Sequence, residues 1–230
     1  MLPVLILSGG LATRMQSVPG NIPKAMIEVA GKPFIHWQLT MLRNQGIKSV
    51  ILCIGHLGEM IEKYTGNGVA YGLNLSYSYD GDKLLGTGGA IKKIEEYLPE
   101  AFFILYGDSY LDIPYAPVEK AFQKSGKTGL MTVYENKDLY DISNVVFQNG
   151  ELVNYSKKNK TPQMHHIDYG LGILRKEAFN DFPKYEFLDL ADVYEKLADE
   201  KQLLGYEVFE RFYEIGSPEG LSELREIFKR

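Results

Sequence analysis

The sequence predicts an α/β fold: a single doubly wound α/β/α sandwich over residues 1–230, with a mainly parallel sheet and an antiparallel hairpin insertion. Three observations carry this reading. Short apolar runs at residues 4–7, 50–54 and 101–106 alternate in the first half with segments of helical apolar spacing. Those runs are continuously apolar, as strands covered on both faces must be. In the second half, Asn149-Gly150 stands between residues 144–147 and 151–155, and Asn-Gly is the strongest short hairpin signal because both residues tolerate positive φ. At 230 residues and 45% hydrophobic, the chain supplies one large core, and no repeat, low-complexity segment or linker divides it.

Taken in order, residues 4–7 make a first strand that runs into Ser8-Gly9-Gly10, where side chains nearly vanish and a tight, phosphate-sized turn becomes possible. Pro19, Gly20, Asn21 and Pro23 forbid a continuous helix before Lys24. A brief strand is expected at 25–29. Gly31-Lys32-Pro33 then punctuates the chain before a helix with Phe34, Trp37, Met41 and Leu42 on one face and Gly46 as its cap. Residues 48–54 read as a buried strand. Gly55-His56-Leu57-Gly58 turns into a helix carrying Met60, Ile61 and Tyr64, and the alternation of Leu73, Leu75, Tyr77 and Tyr79 gives a strand with one solvated face.

Residues 85–90, LGTGGA, read as a loop feeding a helix with Ile91, Ile94 and Tyr97 at helical spacing. Residues 101–106 form the most continuous apolar run, a central strand ending abruptly in Gly107-Asp108-Ser109. A helix at 115–123 and a strand at 129–134 follow. Beyond the hairpin, a strand is expected at 169–174, a helix at 188–197 with Leu190, Val193, Tyr194 and Leu197 inward, a strand at 205–209 and a last helix at 218–228.

Composition narrows the partners. Lys and Arg number 25 against 30 Asp and Glu, a net charge of -5, which is no footprint for nucleic acid or an anionic membrane. An anionic small ligand would need locally placed cations. Cys53 is the one cysteine and lies within an apolar run, so a buried reduced thiol and a cytoplasmic location are expected. Only residues 2–7 are apolar at the N-terminus, with no basic region before them, so neither an export nor an anchoring signal is expected.

The chemistry-bearing residues begin with Arg14 and Lys24, two cations on the loop after the glycine turn, the parts needed to hold a polyphosphate. Leu11 breaks any G-x-G-x-x-G pattern and no G-x-x-x-x-G-K-[ST] occurs, which sets aside a dinucleotide dehydrogenase and a P-loop ATPase. Asp108, at the carboxyl end of a central strand, falls where open α/β sheets bind ligands. Each residue also has a plainer reading. Arg14 and Lys24 could be solvated cations, Asp108 a helix N-cap, and Asp80 and Asp82 turn residues of Asp-Gly-Asp. His165-His166 lacks a third metal ligand at suitable spacing and reads as a polar strand edge; His36 and His56 receive no role.

These residues resemble the sugar-1-phosphate nucleotidyltransferases, whose opening signature is a strand followed by GGxGTR and then PK. Here the positions read Gly9-Gly10-Leu11-Ala12-Thr13-Arg14 and Pro23-Lys24. The resemblance continues through Gly31-Lys32-Pro33, LGTGGA, Gly107-Asp108 and Tyr213-Glu214-Ile215-Gly216-Ser217-Pro218, similar to the family's W-x-D-x-G-T/S-P, so it spans nearly the whole chain. It implies transfer of a nucleoside monophosphate from an NTP to a sugar 1-phosphate, releasing pyrophosphate, with Mg2+ as cofactor.

The same resemblance implies residue roles. The backbone near Leu7 and Gly9 would read the base, and Ser8, Gly9, Gly10 and Thr13 would wrap the triphosphate. Arg14 would neutralise the departing β- and γ-phosphates, and Lys24 the α-phosphate and the incoming sugar phosphate. Gly86, Thr87 and Gly88 would pack against base and ribose, with Asp80 or Asp82 at the base edge. Asp108 would hold Mg2+, with Glu214 as its second carboxylate. Lys158 matches the family's sugar-phosphate lysine, and Asp168 and Gly170 fall where the family contacts the sugar. Ala12, Lys157, Asp168 and Glu214 stand where the family commonly carries glycine, glutamate, asparagine and aspartate.

Such a reaction needs no catalytic histidine. A phosphate monoester has a second pKa of about 6, so the attacking oxygen is already ionised at neutral pH. The obstacle is repulsion between two anions, which cations, backbone N–H groups and a metal overcome. Two other readings remain: a non-catalytic regulatory or binding member of the fold, and a cytidylyltransferase acting on a small non-sugar phosphate. Arg14, Lys24 and Asp108 together favour an enzyme. The base is not legible in individual residues, and overall similarity of the short chain leans to GTP.

Overall fold

A computed structural model of the chain describes residues 1–9, 22–81 and 85–229. The run at the N-terminus is β1 (Val4–Ser8), with every residue buried. Then follow α1 (Phe34–Asn44), β2 (Ser49–Ile54), α2 (Gly58–Thr65), β3 (Asn74–Tyr79), α3 (Gly86–Lys93), β4 (Ala101–Tyr106) and α4 (Tyr115–Ser125). The second half holds β5 (Gly129–Glu135), β6 (Val145–Gln148), β7 (Glu151–Tyr155), β8 (His166–Arg175), α5 (Leu190–Asp199), β9 (Leu203–Val208) and α6 (Pro218–Ile227). Asn149 and Gly150 take φ 54 and φ 79, which closes β6 onto β7 as expected.

All nine strands lie in one sheet, running β7-β6-β8-β4-β1-β2-β3, with β5 against the other side of β8 and β9 beyond it. β1 pairs in parallel with both β2 and β4, β2 with β3, and β5 with β9. Antiparallel pairing extends further than the hairpin, because β8 runs against β4, β5 and β6. The reason is connectivity. Only the hairpin, and no crossover helix, separates β5 from β8, so β8 starts where β5 ends and must run back along it.

The central strands β1 and β4 are buried on both faces, and side chains alternate between two layers. Val4 and Ile6 point into a layer with Ile35 and Leu39 of α1 and Val118 and Phe122 of α4. Leu5 and Leu7 point the other way, with Ile91 of α3 and Val193, Tyr194 and Leu197 of α5. A third, smaller cluster of Ile27, Val29, Phe34, Ile215, Leu221 and Leu224 ties α6 to the segment before α1. That cluster brings the end of the chain back beside Lys24.

Two expected elements differ. Residues 25–29 are not one strand: Lys24–Met26 is a single 3-10 turn, closed by Met26 N–H onto Pro23 O at 2.9 Å, and only Glu28–Val29 pairs with Lys32–Pro33. LGTGGA is not a loop feeding a helix but the first turns of α3 itself. Its glycines let that helix lie against backbone: the N–H groups of Gly88 and Gly89 donate to Leu188 O at 2.9 and 3.1 Å. Among the described residues no helix is long and apolar enough to cross a membrane.

Candidate active site

The order β3-β2-β1-β4 makes the gap between β1 and β4 the point where the chain reverses its direction of winding, and open α/β sheets bind ligands at the carboxyl ends of strands there. A cleft of about 300 Å3 lies at those ends. Asp80 follows β3 at one end of it, and Lys24, Gly107 and Asp108 stand at the other. Leu7, Cys53 and Ala90 line its floor, while Gly86, Thr87 and Phe187 form a wall.

Gly107 is required where β4 meets β1. A Cβ there would fall 2.3 Å from Ser8 Oγ and 2.7 Å from Leu7 O, so any side chain would push Asp108 away from the cleft. Ser8 Oγ is buried and has no hydrogen-bond partner among the described residues.

Lys24 Nζ donates to Asp108 Oδ2 at 3.0 Å, joining the turn after Pro23 to the end of β4. Residues 109–110 then pair antiparallel with Tyr213–Glu214, and Ile215 N–H donates to Asp108 O at 2.9 Å, which carries Glu214 to the same place. The three groups converge around bare Gly216. A Cβ on Gly216 would lie 2.7 Å from Glu214 Oε2, 3.3 Å from Asp108 Oδ2 and 3.6 Å from Lys24 Nζ. Glu214 also has structural partners, accepting from Gly216 N–H, Ser217 Oγ and, at 3.0 Å, Ser217 N–H. Ser217 Oγ is in turn the N-cap of α6.

At the other end the backbone is bare. A Cβ on Gly9 would fall 2.7 Å from Asp80 Oδ2, and one on Gly55 would fall 3.3 Å from it. Burial pushes the Asp80 carboxyl above its usual range, against the nearby Lys93 charge. Gly86 takes φ +73, and a Cβ there would press on Leu188 O at 2.5 Å and on the Phe187 ring at 3.0 Å.

Beyond the end of β4, β8 shifts register against β5 between Asp168 and Gly172. Asp168 Oδ1 accepts from Gly170 N–H at 3.0 Å, and Tyr106 OH donates to Oδ2 at 3.4 Å. Burial pushes this carboxyl up to about 6 against both of those donors. Gly170 takes φ +94, which an L side chain rarely adopts, and a Cβ there would sit close to Tyr106 and Ser109, at 3.2 and 3.3 Å.

Lys157, rather than Lys158, turns toward this region. Its Nζ pairs with Asp189 Oδ2 at 2.7 Å, and Asp189 Oδ1 accepts from Thr87 Oγ1 at 3.2 Å and from Ala191 N–H at 3.1 Å. Burial opposes the charge on Asp189, but Lys157, Ala191 N–H and Thr87 together hold its carboxyl below the usual range. Lys158 pairs instead with Asp192 at 2.8 Å on the exposed side of α5.

Of the residues expected from the sequence, the fold brings Leu7, Ser8, Gly9, Lys24, Asp80, Gly86, Thr87 and Asp108 to one cleft. Gly88 faces Leu188 behind the wall, and Glu214 reaches the Lys24–Asp108 pair. Gly10, Thr13, Arg14 and Asp82 lie outside the described residues. Sequence reasoning named Lys157 and Gly216 without a role and did not single out Asp189 or Phe187. Asp189 had a signal, an aspartate immediately before a periodic helix. Nothing in the sequence separates Lys157 from its neighbour. His166 is not at a polar strand edge as expected: it is buried, pairs with Glu135 on one side and Val145 on the other, and its Nε2 lies 3.2 Å from Glu207.

The family described as Nucleotidyl transferase matches residues 3–228. Over 220 residues the chain is 33% identical to D-glycero-alpha-D-manno-heptose 1-phosphate guanylyltransferase of Campylobacter jejuni, covering 94% of this chain and 95% of that protein. It is 31% identical to the protein of the same name from Aneurinibacillus thermoaerophilus, covering 94% and 93%. It is also 29% identical to a UTP--glucose-1-phosphate uridylyltransferase of Synechocystis, but spans only 55% of that relative's length. Among solved structures, HddC from Yersinia pseudotuberculosis complexed with GMP-PN is similar at a TM-score of 0.82 and 26% identity, covering 99% of this chain and all of that one. A putative glucose-1-phosphate thymidylyltransferase from Bacillus anthracis shares the fold at a TM-score of 0.88 and 17% identity, covering 99% and 95%.

Proposed function

Because the chain belongs to the nucleotidyl transferase family, we propose that it transfers a nucleoside monophosphate from an NTP to a sugar 1-phosphate and releases pyrophosphate. The observation that carries this is the meeting of Lys24, Asp108 and Glu214 around Gly216 at one end of the switch-point cleft. The two relatives matched along nearly their whole length bear names for this reaction class, which supports it.

In the reaction, an acceptor phosphate oxygen attacks the α-phosphorus of the NTP. A new P–O bond forms, the bond from that phosphorus to the α–β bridging oxygen breaks, and pyrophosphate leaves with the electron pair. No proton has to be removed, since the attacking phosphate is ionised. Lys24 lowers the repulsion between the two phosphates and holds them close enough to react, at no reorganisation cost because Asp108 already fixes its ammonium. Arg14 neutralises the departing β- and γ-phosphates, as the opening motif implies. Lys157 and Asp189, with Asp168, flank the acceptor end, where an ammonium suits a sugar phosphate and carboxylates suit sugar hydroxyls.

The carboxylate pair fits Mg2+. Two hard oxygen donors from separate segments face one point that glycine leaves free, and Mg2+ takes one or two carboxylates alongside substrate phosphates. Asp108 and Glu214 would hold the ion, which when bound supplies positive charge against the phosphate oxygens. A cytoplasmic location belongs to the same proposal, supported by the buried, unpaired Cys53.

The test is pyrophosphate release with each NTP against a panel of sugar 1-phosphates in the presence of Mg2+. Turnover with at least one pair is expected. No release from any pair would favour a non-catalytic binding role instead.

A further inference from the structure

Helix α1 supports the segments that carry both Asp108 and Glu214. Phe34 and Gln38 stand four residues apart, so they share one face of the helix, and both are fully buried. Phe34 packs with Ile215 in the cluster that ties α6 down, next in the chain to Glu214. Gln38 serves the other carboxylate. Its Nε2 donates twice, to Tyr106 O at 3.0 Å and to Ser109 O at 2.8 Å. Those two carbonyls flank Gly107 and Asp108, so a single amide clasps both ends of the turn that carries Asp108 off β4.

That turn needs an outside support. Gly107 must stay bare against Ser8, and glycine is the residue with the most backbone freedom. The Asp108 side chain is one-third exposed, and its partner Lys24 is shared with substrate phosphates in the reading above. Ile215 N–H holds the Asp108 carbonyl, and Gln38 holds the peptides on either side of it, so together they set where the carboxylate points. Such aim matters, because a displacement of about 1 Å can cost about 100-fold in rate. An apolar side chain of the same length would fill the space with no amide to desolvate, so what the amide adds is the pair of donated bonds. We infer that Gln38 is a positioning residue: by clasping Tyr106 O and Ser109 O it aims Asp108 at the point shared with Glu214 and Lys24, and so sets how tightly Mg2+ is held there with a nucleotide. The inference rests on the nucleotidyl-transfer reading above for the role of Asp108.

Gln38→Met tests it, since methionine is unbranched and of similar length but donates nothing. Calorimetric titration with GTP, UTP, CTP and ATP, each with Mg2+ and again with EDTA, gives the factor by which the ion tightens binding. Gln38→Met should bind metal-free nucleotide as the wild type does and lose about tenfold to a hundredfold of the Mg2+-dependent affinity, the range for groups that orient metal ligands. The Mg2+ concentration for half-maximal pyrophosphate release should rise by a similar factor. On an Asp108→Asn background, Gln38→Met should weaken Mg2+-dependent binding no further, because no carboxylate is left to aim. Gln38→Asn, one methylene shorter, should behave as Gln38→Met. A folded variant with a lower melting temperature but the wild type's Mg2+ dependence would make Gln38 a core amide and overturn the inference, as would failure of both variants to fold or a wild type whose NTP binding ignores Mg2+. Pyrophosphate release with an unaltered Mg2+ titration in Gln38→Met sinks the role of Gln38 and leaves nucleotidyl transfer standing. Loss of Mg2+-dependent NTP binding in Gln38→Met, when the wild type turns over no sugar 1-phosphate, upholds Gln38 and sinks the transfer.

Discussion

Lys24 and Asp108 illustrate how little a reactive pair contributes to folding. Their side chains are 22% and 34% exposed, and an ion pair that wet is worth about 0 to 1 kcal/mol. Lys24→Ala should therefore leave the melting temperature nearly unchanged. Pyrophosphate release should nevertheless fall by about one order of magnitude or more, the scale of losing one preorganised donor. Near-normal turnover in the folded variant would remove Lys24 from the chemistry. Asp168 behaves in the opposite manner. Burial pushes its carboxyl up to about 6 from its ordinary value of 3.8, so between those values the folded state binds more protons than the unfolded one. Stability is then lost as pH rises from about 4 to about 6 and stays lower above that. Asp168→Asn should raise the melting temperature at pH 7.5, by about 2 to 4 °C for each kcal/mol recovered, and the gain should vanish near pH 4. An equal change at both values of pH would show that burial of the charge is not what the aspartate costs.

Among elements, α6 and α3 show why some of the site was illegible. Glu214 invites comparison with the aspartate common at its position, and the extra methylene looks like a misfit to a metal site. The fold gives that length a use, because the carboxylate bends back to accept from Gly216, Ser217 N–H and Ser217 Oγ at the start of α6. Glu214→Gln should lower stability by about 0.5 to 2 kcal/mol, the range of a lost N-terminal cap. An unchanged melting temperature would mean those hydrogen bonds contribute nothing. In α3 local propensity was the wrong guide. Gly88 and Gly89 each cost about 1 kcal/mol relative to alanine in a helix, which favours a loop, but both donate to Leu188 O across the interface. Gly88→Ala should lower the melting temperature despite its better helix propensity, since its Cβ would meet Leu188 Cγ at 2.7 Å and overpacking costs about 1 to 3 kcal/mol. A more stable variant would restore propensity as the governing effect.

At the scale of the molecule, periodicity made the alternation of β1 to β4 with α1 to α3 legible, and Asn149-Gly150 marked its hairpin because turn chemistry is local. The direction of β8 was not legible, since a continuous apolar run reads the same for either orientation in the sheet. Nor was the placing of Lys157 over Lys158, which depends on how the chain leaves β7 and on where α5 presents Asp189 and Asp192. The candidate site itself is assembled from residues far apart in the chain: Gly9 after β1, Lys24 before α1, Asp80 after β3, Asp108 after β4 and Glu214 before α6. No short segment contains it, so an unfolded chain has no comparable site and a nucleotide binds the folded form alone. Binding must then raise stability by mass action. At a nucleotide concentration about 100 times the dissociation constant the gain is about 2.7 kcal/mol. At about 2 to 4 °C per kcal/mol for a chain of this size, Mg2+ and GTP together should raise the melting temperature by about 5 to 10 °C. The rise should shrink for Lys24→Ala, whose fold is intact but whose cleft has lost a phosphate contact. If GTP and the other three NTPs, each with Mg2+, all leave the unmodified protein's transition where it was, the switch-point cleft is not a nucleotide site, however well its residues converge.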